Sequence, residues 1–372
     1  MRRIVCFLLA ALFVFTSCSQ KPPSEPPAQD TVATIPESVP PQKEETPPVI
    51  PDKPPVIEID ETLTEKALLT GLPCTAEHNE LRPVAVVLNN HEKALPQSSI
   101  ADADVVWECN AEGGITRLVA VYSDISKVGD IGAVRSARDY FIDIASIYGA
   151  ILVHAGGSPS YYSDVKSVGL DYIDGVNMYT IPENTFWRDK DKISKRGYEH
   201  SMETSGEKIL AAAKSQKYTL SRLSSFEAPV SFYEKTTVPD GAPATHVEIC
   251  HGAYITTKFT YNEENGRYYK ESFGKPHVEE LTGEQISFDN VAVIFASHKV
   301  VDEAYRLDIN LVGEGKGKLF TSGRSVDFTW SRSSALGTIE FKNTDGTPLF
   351  FNPGKTHITL FDKNAYNSVT IE

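Results

Sequence analysis

The chain has 372 residues, enough for about two domains at roughly 150 residues each. Hydrophobic residues make up 41% and aromatic residues 10%, which excludes a chain disordered throughout. The formal net charge is −14, so neither wrapping of nucleic acid nor electrostatic docking on anionic lipid is expected.

Residues 1–20 read as an address. Arg2 and Arg3 precede an uncharged apolar run, Ile4 to Phe15, of 12 residues. A membrane span needs about 20, but this length suits a signal-peptide core. Phe15-Thr16-Ser17-Cys18 then resembles a bacterial lipobox, with Phe15 where leucine is usual. Residues 1–17 are therefore expected to be a lipoprotein signal peptide, and Cys18 the lipid-bearing first residue. The expected location is the extracytoplasmic face of the cell membrane. Membrane contact would be made through that N-terminal lipid.

Residues 18–56 have another composition. Twelve of the 23 prolines lie between Pro22 and Pro55. Such a stretch cannot bury enough apolar surface to fold. An extended Pro-rich chain rises about 3.1 Å per residue, so this one could reach roughly 100 Å. The expectation is a lipidated, disordered tether.

A mixed α+β or α/β fold is expected beyond it. An α/β domain with a central sheet is placed at 57–225. Strands are expected at 82–88, 103–109, 115–122 and 150–155. A helix is expected from Ser136 to Tyr148, with Ala137, Tyr140, Phe141, Ile144, Ala145 and Tyr148 along one face. Thr204 with Glu207 reads as a capping box for a helix through Lys217. A β-rich domain, a small barrel or sandwich, is placed at 226–372. Asn265-Gly266 and Asp345-Gly346 mark hairpins there. Cys74, Cys109 and Cys250 leave an odd set, and a Cys74–Cys109 bridge stays open.

Three blocks carry a likeness. They are Ala111-Glu112-Gly113-Gly114-Ile115-Thr116-Arg117-Leu118, Ile131 to Phe141 with its Gly132-Ala133-Val134-Arg135-Ser136-Ala137-Arg138, and Val153-His154-Ala155-Gly156-Gly157-Ser158-Pro159. In that order they resemble the YerB-like family of bacterial lipoproteins. The resemblance implies a lipid-anchored, two-part extracytoplasmic protein without an established biochemical activity. Where the family usually has Pro-His-Asn, this chain has Glu199-His200-Ser201.

Candidate chemistry gathers in the same blocks. Arg135 and Arg138, three apart at an expected helix start, suit a phosphate or carboxylate. Arg117 and the turn Gly156-Gly157-Ser158 complete the candidate ligand-binding set. The alternative is that the arginines clamp protein carboxylates. Catalytic candidates are Glu108 and Glu112 as an acid–base pair, and His154 with Ser158 as base and nucleophile. Tyr254, Phe259, Tyr261, Tyr268 and Tyr269 offer a sugar-stacking face or, alternatively, core pairs. No metal site and no cofactor is expected from the motifs. The leading reading is an envelope protein binding an anionic cell-surface ligand or a protein partner. The alternatives are a hydrolase or transferase acting on wall glycan or phosphodiester, and a spacer or scaffold.

Overall fold

Alternation of side chains organises the first half. In the computed structural model, which describes residues 63–372 other than Ala253, the strand β1 (Val84–Asn90) is buried on both faces. Val84, Val86 and Leu88 face one core, while Ala85 and Val87 face the other. That is the period of two dictated by a pleated strand. The signal peptide, Cys18 and the tether lie outside the described residues.

The first half continues with β2 (Val105–Asn110), β3 (Thr116–Tyr122), α1 (Asp139–Ile147), β4 (Ile151–His154), α2 (Pro159–Val168), β5 (Tyr172–Asp174) and α3 (Gly206–Ser215). The second contains β6 (His246–Cys250), β7 (Thr256–Asn262), β8 (Arg267–Ser272), β9 (Asn290–Val300), β10 (Leu307–Asn310), β11 (Gly313–Thr321), β12 (Arg324–Arg332), β13 (Glu340–Asn343), β14 (Thr356–Asp362) and β15 (Val369–Ile371). This is a mixed fold, α/β in the first half and β-rich in the second. The Asn265-Gly266 turn does join the antiparallel pair β7–β8.

One 12-stranded sheet runs through both halves. Its central order is β12-β11-β9-β14-β2-β3-β1-β4-β5. The late strand β14 is inserted parallel between β9 and β2, with Thr359 opposite Glu108. The described residues fall within one compact unit. Helices α1 and α2 cover one face of the sheet through Tyr140, Phe141, Ile144, Tyr161 and Val165. The other face is covered by α3 and by a six-stranded sheet containing β8, β7, β6 and β15. Among the described residues no helix is long and apolar enough to cross a membrane.

Three local expectations need correction. The helix expected from Ser136 begins at Asp139, with Arg138 as its extended N-cap. Residues before it are drawn out of the helix by neighbouring backbone: Arg135 N–H donates to Val87 O (2.9 Å) and Ala137 N–H to Gly156 O (2.8 Å). Helix α3 is capped by Ser205, whose Oγ accepts from Lys208 N–H, because Thr204 Oγ1 donates instead to Thr185 O. It ends at Ser215, short of Lys217, which takes a left-handed conformation. Cys74, Cys109 and Cys250 are all free thiols, so the open Cys74–Cys109 bridge is absent.

Gly206 opens α3 against the preceding loop. A Cβ there would lie 2.0 Å from Ile125 O and 2.5 Å from Val128 O, both main-chain atoms. Gly206→Ala should therefore destabilise the protein by about 1–3 kcal/mol, read as a lower urea midpoint. An unchanged midpoint would contradict this packing.

Candidate functional site

Strands β1, β2, β4 and β5 run in one direction, so the segments that follow them collect at a single sheet edge. Ligands of open α/β sheets commonly bind at such carboxyl edges. Here the edge receives the Glu112 loop after β2 and the Gly156-Gly157 turn after β4. Bridges Leu88↔Val134 and Ala137↔Gly157 pin the Arg135–Arg138 segment to it. Arg117 joins from the start of the antiparallel β3.

Glu112 is the hub. Its Oε1 accepts from Arg117 (2.6 Å) and from Arg138 (2.5 Å), and its Oε2 from Arg138 Nε (3.0 Å). Burial would raise its pKa, but the two guanidiniums hold it down at about 2. Arg117 is lowered to about 10, chiefly by burial and then by Arg138, and so stays charged at neutral pH. Its remaining contact is NH1 to Ser136 O, and its buried Nε has no partner. Two guanidiniums on one carboxylate leave a positive charge uncompensated. Arg135 lies more open, 28% exposed, and pairs with Glu199, itself 69% exposed (2.8 Å).

The glycine turn serves a different purpose from the one its sequence suggests. Gly156 N–H donates to Asp174 Oδ1 (2.7 Å), and Ser158 N–H points to Ala137 O. These two donors are spent on protein acceptors, and Gly156 O accepts from Ala137 N–H, so the turn positions the arginine segment. A Cβ on Gly157 would lie 2.5 Å from the Tyr161 ring, which explains that glycine.

His154 and Ser158 do not form a base–nucleophile pair. Both ring nitrogens of His154 are engaged, Nε2 with Tyr161 OH (2.6 Å) and Nδ1 with Gly156 O (2.8 Å). Burial pushes its pKa down to about 4. Ser158 Oγ caps α2 by accepting from Tyr161 N–H, and donates to Asp139 Oδ1 (3.0 Å).

Glu108 and Glu112 occupy separate environments. Glu108 is fully buried and accepts from Asn90 Nδ2 (3.0 Å), Thr116 Oγ1 (2.9 Å) and Thr257 Oγ1 (3.0 Å). Lys270 Nζ lies 3.1 Å from its Oε2, with His357 at 3.3 Å and His251 at 3.6 Å from the carboxylate. Burial opposes its charge, yet Lys270 and the histidines hold its pKa well below the ordinary range. Both glutamates are thus kept ionised, whereas an acid–base pair on a glycan needs one held protonated. The network extends from Lys270 to Ser272 Oγ (2.8 Å), then His277 and Gln97. Sequence reading singled out Glu108 but missed these partners. Its one local signal was a carboxylate inside the apolar run Val-Val-Trp-Glu-Cys.

Of the five aromatics offered as a sugar face, Phe259, Tyr268 and Tyr269 are buried and Tyr261 packs against Tyr268 at 5.0 Å. Only Tyr254 is widely exposed, beside Gly114 of the Glu112 loop. Among the described residues no group of three His, Cys, Asp or Glu is arranged to hold a metal ion.

Two measurements test the buried network. Lys270→Met strands the Glu108 charge and should cost about 3–5 kcal/mol, with much of the loss recovered on adding Glu108→Gln. Full stability in the single variant would contradict the pairing. Burial also pushes His251 and His357 down to about 4 from an ordinary 6.5. The unfolded chain then binds more protons between these values, so stability is complete above about pH 6.5 and falls as pH drops toward 4. Denaturation midpoints that stay level between pH 7 and 4.5 would contradict neutral buried imidazoles.

The chain matches two family models. One, described as the protein of unknown function (DUF3048) N-terminal domain, covers residues 69–219. The other, its DUF3048 C-terminal domain, covers residues 246–358. A Bacillus subtilis (strain 168) protein named "Putative lipoprotein YerB" is 34% identical over 299 residues, spanning 79% of this chain and 86% of its own. A crystal structure of YerB protein from Bacillus subtilis matches with a TM-score of 0.72 at 32% identity, covering 83% of this chain and 99% of that one.

Proposed function

Because the chain belongs to the YerB-like family, built from paired DUF3048 N-terminal and C-terminal domains, we propose that it is a lipid-anchored extracytoplasmic protein that binds an anionic envelope ligand. The observation that carries this reading is the sharing of Glu112 by Arg117 and Arg138, with Arg135 open beside them. It places three guanidiniums on two carboxylates, Glu112 and Glu199, at a carboxyl edge that also holds Asp139 and Asp174. Guanidiniums offer forked donors that match phosphate and carboxylate oxygens. The Arg135–Glu199 pair is half exposed, and such pairs are worth about 0–1 kcal/mol, so a ligand can displace it. The anchor rests on the signal pattern ending at Cys18 and on the lipoprotein name of the relative.

The catalytic alternative has less support. Glu108 is enclosed, Glu112 is neutralised by two arginines, and both nitrogens of His154 are spent. Nothing in this set is poised as acid, base or nucleophile at an accessible position.

The test is thermal melting of the full-length protein in non-ionic detergent with inorganic phosphate, tripolyphosphate or muramyl dipeptide. A ligand at 100 times its Kd adds about 2.7 kcal/mol, which is a few degrees at this size. The shift should vanish in Arg135→Ala while that variant alone melts near wild type. No shift with any anion would overturn the reading.

A further inference from the structure

Beside Arg135, two histidines from distant parts of the chain meet. His91 follows the last residue of β1, and His200 follows Glu199. Their rings stack with centroids 4.9 Å apart and planes at 27°. Asn89 sets the proton positions. Its Oδ1 accepts from the main-chain N–H of His91 (3.1 Å), which orients the amide so that Nδ2 donates to His200 Nδ1 (2.9 Å). His91 Nδ1 accepts from Lys93 N–H (3.1 Å).

A neutral imidazole whose Nδ1 accepts must carry its proton on Nε2. Both rings therefore present an Nε2–H, and neither Nε2 has a hydrogen-bond partner among the described residues. His200 is further kept neutral by burial and by the nearby His91 and Arg135. A metal ion on either Nε2 would need the opposite tautomer, with an Nδ1–H turned against another N–H donor. The donor set therefore selects an anion over a cation.

The occupant of Arg135 points the same way. Glu199 bonds its guanidinium by Oε2 at 2.8 Å and by main-chain O at 3.4 Å. An exposed surface carboxylate thus already occupies the position of an acidic ligand. We propose that His91, His200 and Arg135 form a phosphate-binding site, with Glu199 as the resident competitor that the ligand displaces. This rests on the anion-binding reading and names the ligand class. Two imidazole donors plus a guanidinium fork offer more hydrogen bonds than the two oxygens of one carboxylate use in a fork, and they suit the several oxygens of a phosphate. Free phosphate, a terminal monoester and a diester of a polymer or lipid headgroup share this chemistry.

Calorimetric titration of the full-length protein in non-ionic detergent tests it, with inorganic phosphate, glycerol 3-phosphate and glycerophosphoglycerol as probes. At least one probe should bind the wild type; preference for the first two marks a monoester site, and equal binding of the third marks a diester site. His91→Ala and His200→Ala should each weaken binding about tenfold, and His200→Gln, which retains an N–H donor, should weaken it less. Glu199→Gln should tighten binding about three- to fivefold, while Glu303→Gln, a remote exposed carboxylate, should leave it unchanged. A merely structural cluster would not tighten when Glu199 loses its charge. Phosphate binding that is lost in Arg138→Ala but indifferent to His91, His200 and Glu199 would overturn this proposal and leave the broader reading standing. No binding of any anion would overturn both. Zinc binding that requires both histidines would replace it with a metal site.

Discussion

The carboxylate of Glu108 is the point to which both halves of the molecule are tied. It sits on β2 of the central sheet and is reached by Lys270 from β8, Thr257 from β7, His251 just after β6 and His357 from β14. A buried ion pair of this kind gives little net stability, because desolvating both charges offsets their attraction. Its effect is on alternatives. Any packing that shifts the six-stranded sheet relative to β2 strands a charge in an apolar interior, at a cost of several kcal/mol. The network therefore fixes one arrangement of the two sheets more than it deepens the well.

That arrangement also sets the edge where the candidate site lies. Asn90, which donates to Glu108, is the last residue of β1 and immediately precedes His91. Asn110 ends β2; its side chain contacts His251 at 2.7 Å and its main-chain O accepts from Tyr140 of α1. The Glu112 loop starts one residue later. The side chains facing solvent are thus held by polar residues facing inward. This is the support that a positioned set of donors needs.

The grouping of charges at the edge is not set by the charge of the chain. The net of −14 is a property of the whole sequence. The local field depends on which residues the fold brings together, and there three guanidiniums meet two carboxylates, one of them largely exposed. Guanidiniums gathered at one edge of an acidic protein can hold an anion locally while the remaining surface repels other acidic polymers.

The sequence by itself determined whatever depends on local period and composition. Val-Ala-Val-Val-Leu makes a strand buried on both faces, Asn-Gly makes a hairpin, and the spacing of Tyr140, Phe141, Ile144 and Ala145 makes a helix. The mixed fold was legible for that reason, and the three family blocks proved to lie around one sheet edge. Only the tertiary structure decided the details that long-range contacts control. Val87 O and Gly156 O draw Arg135 and Ala137 out of the helix their sequence favours. The β14 strand enters the sheet about 250 residues after β2, its neighbour there. Glu108 finds Lys270, and His91 finds His200, across separations of more than 100 residues. Such pairings leave no period in the chain, because each partner satisfies its own local pattern and meets the other only when the sheets close.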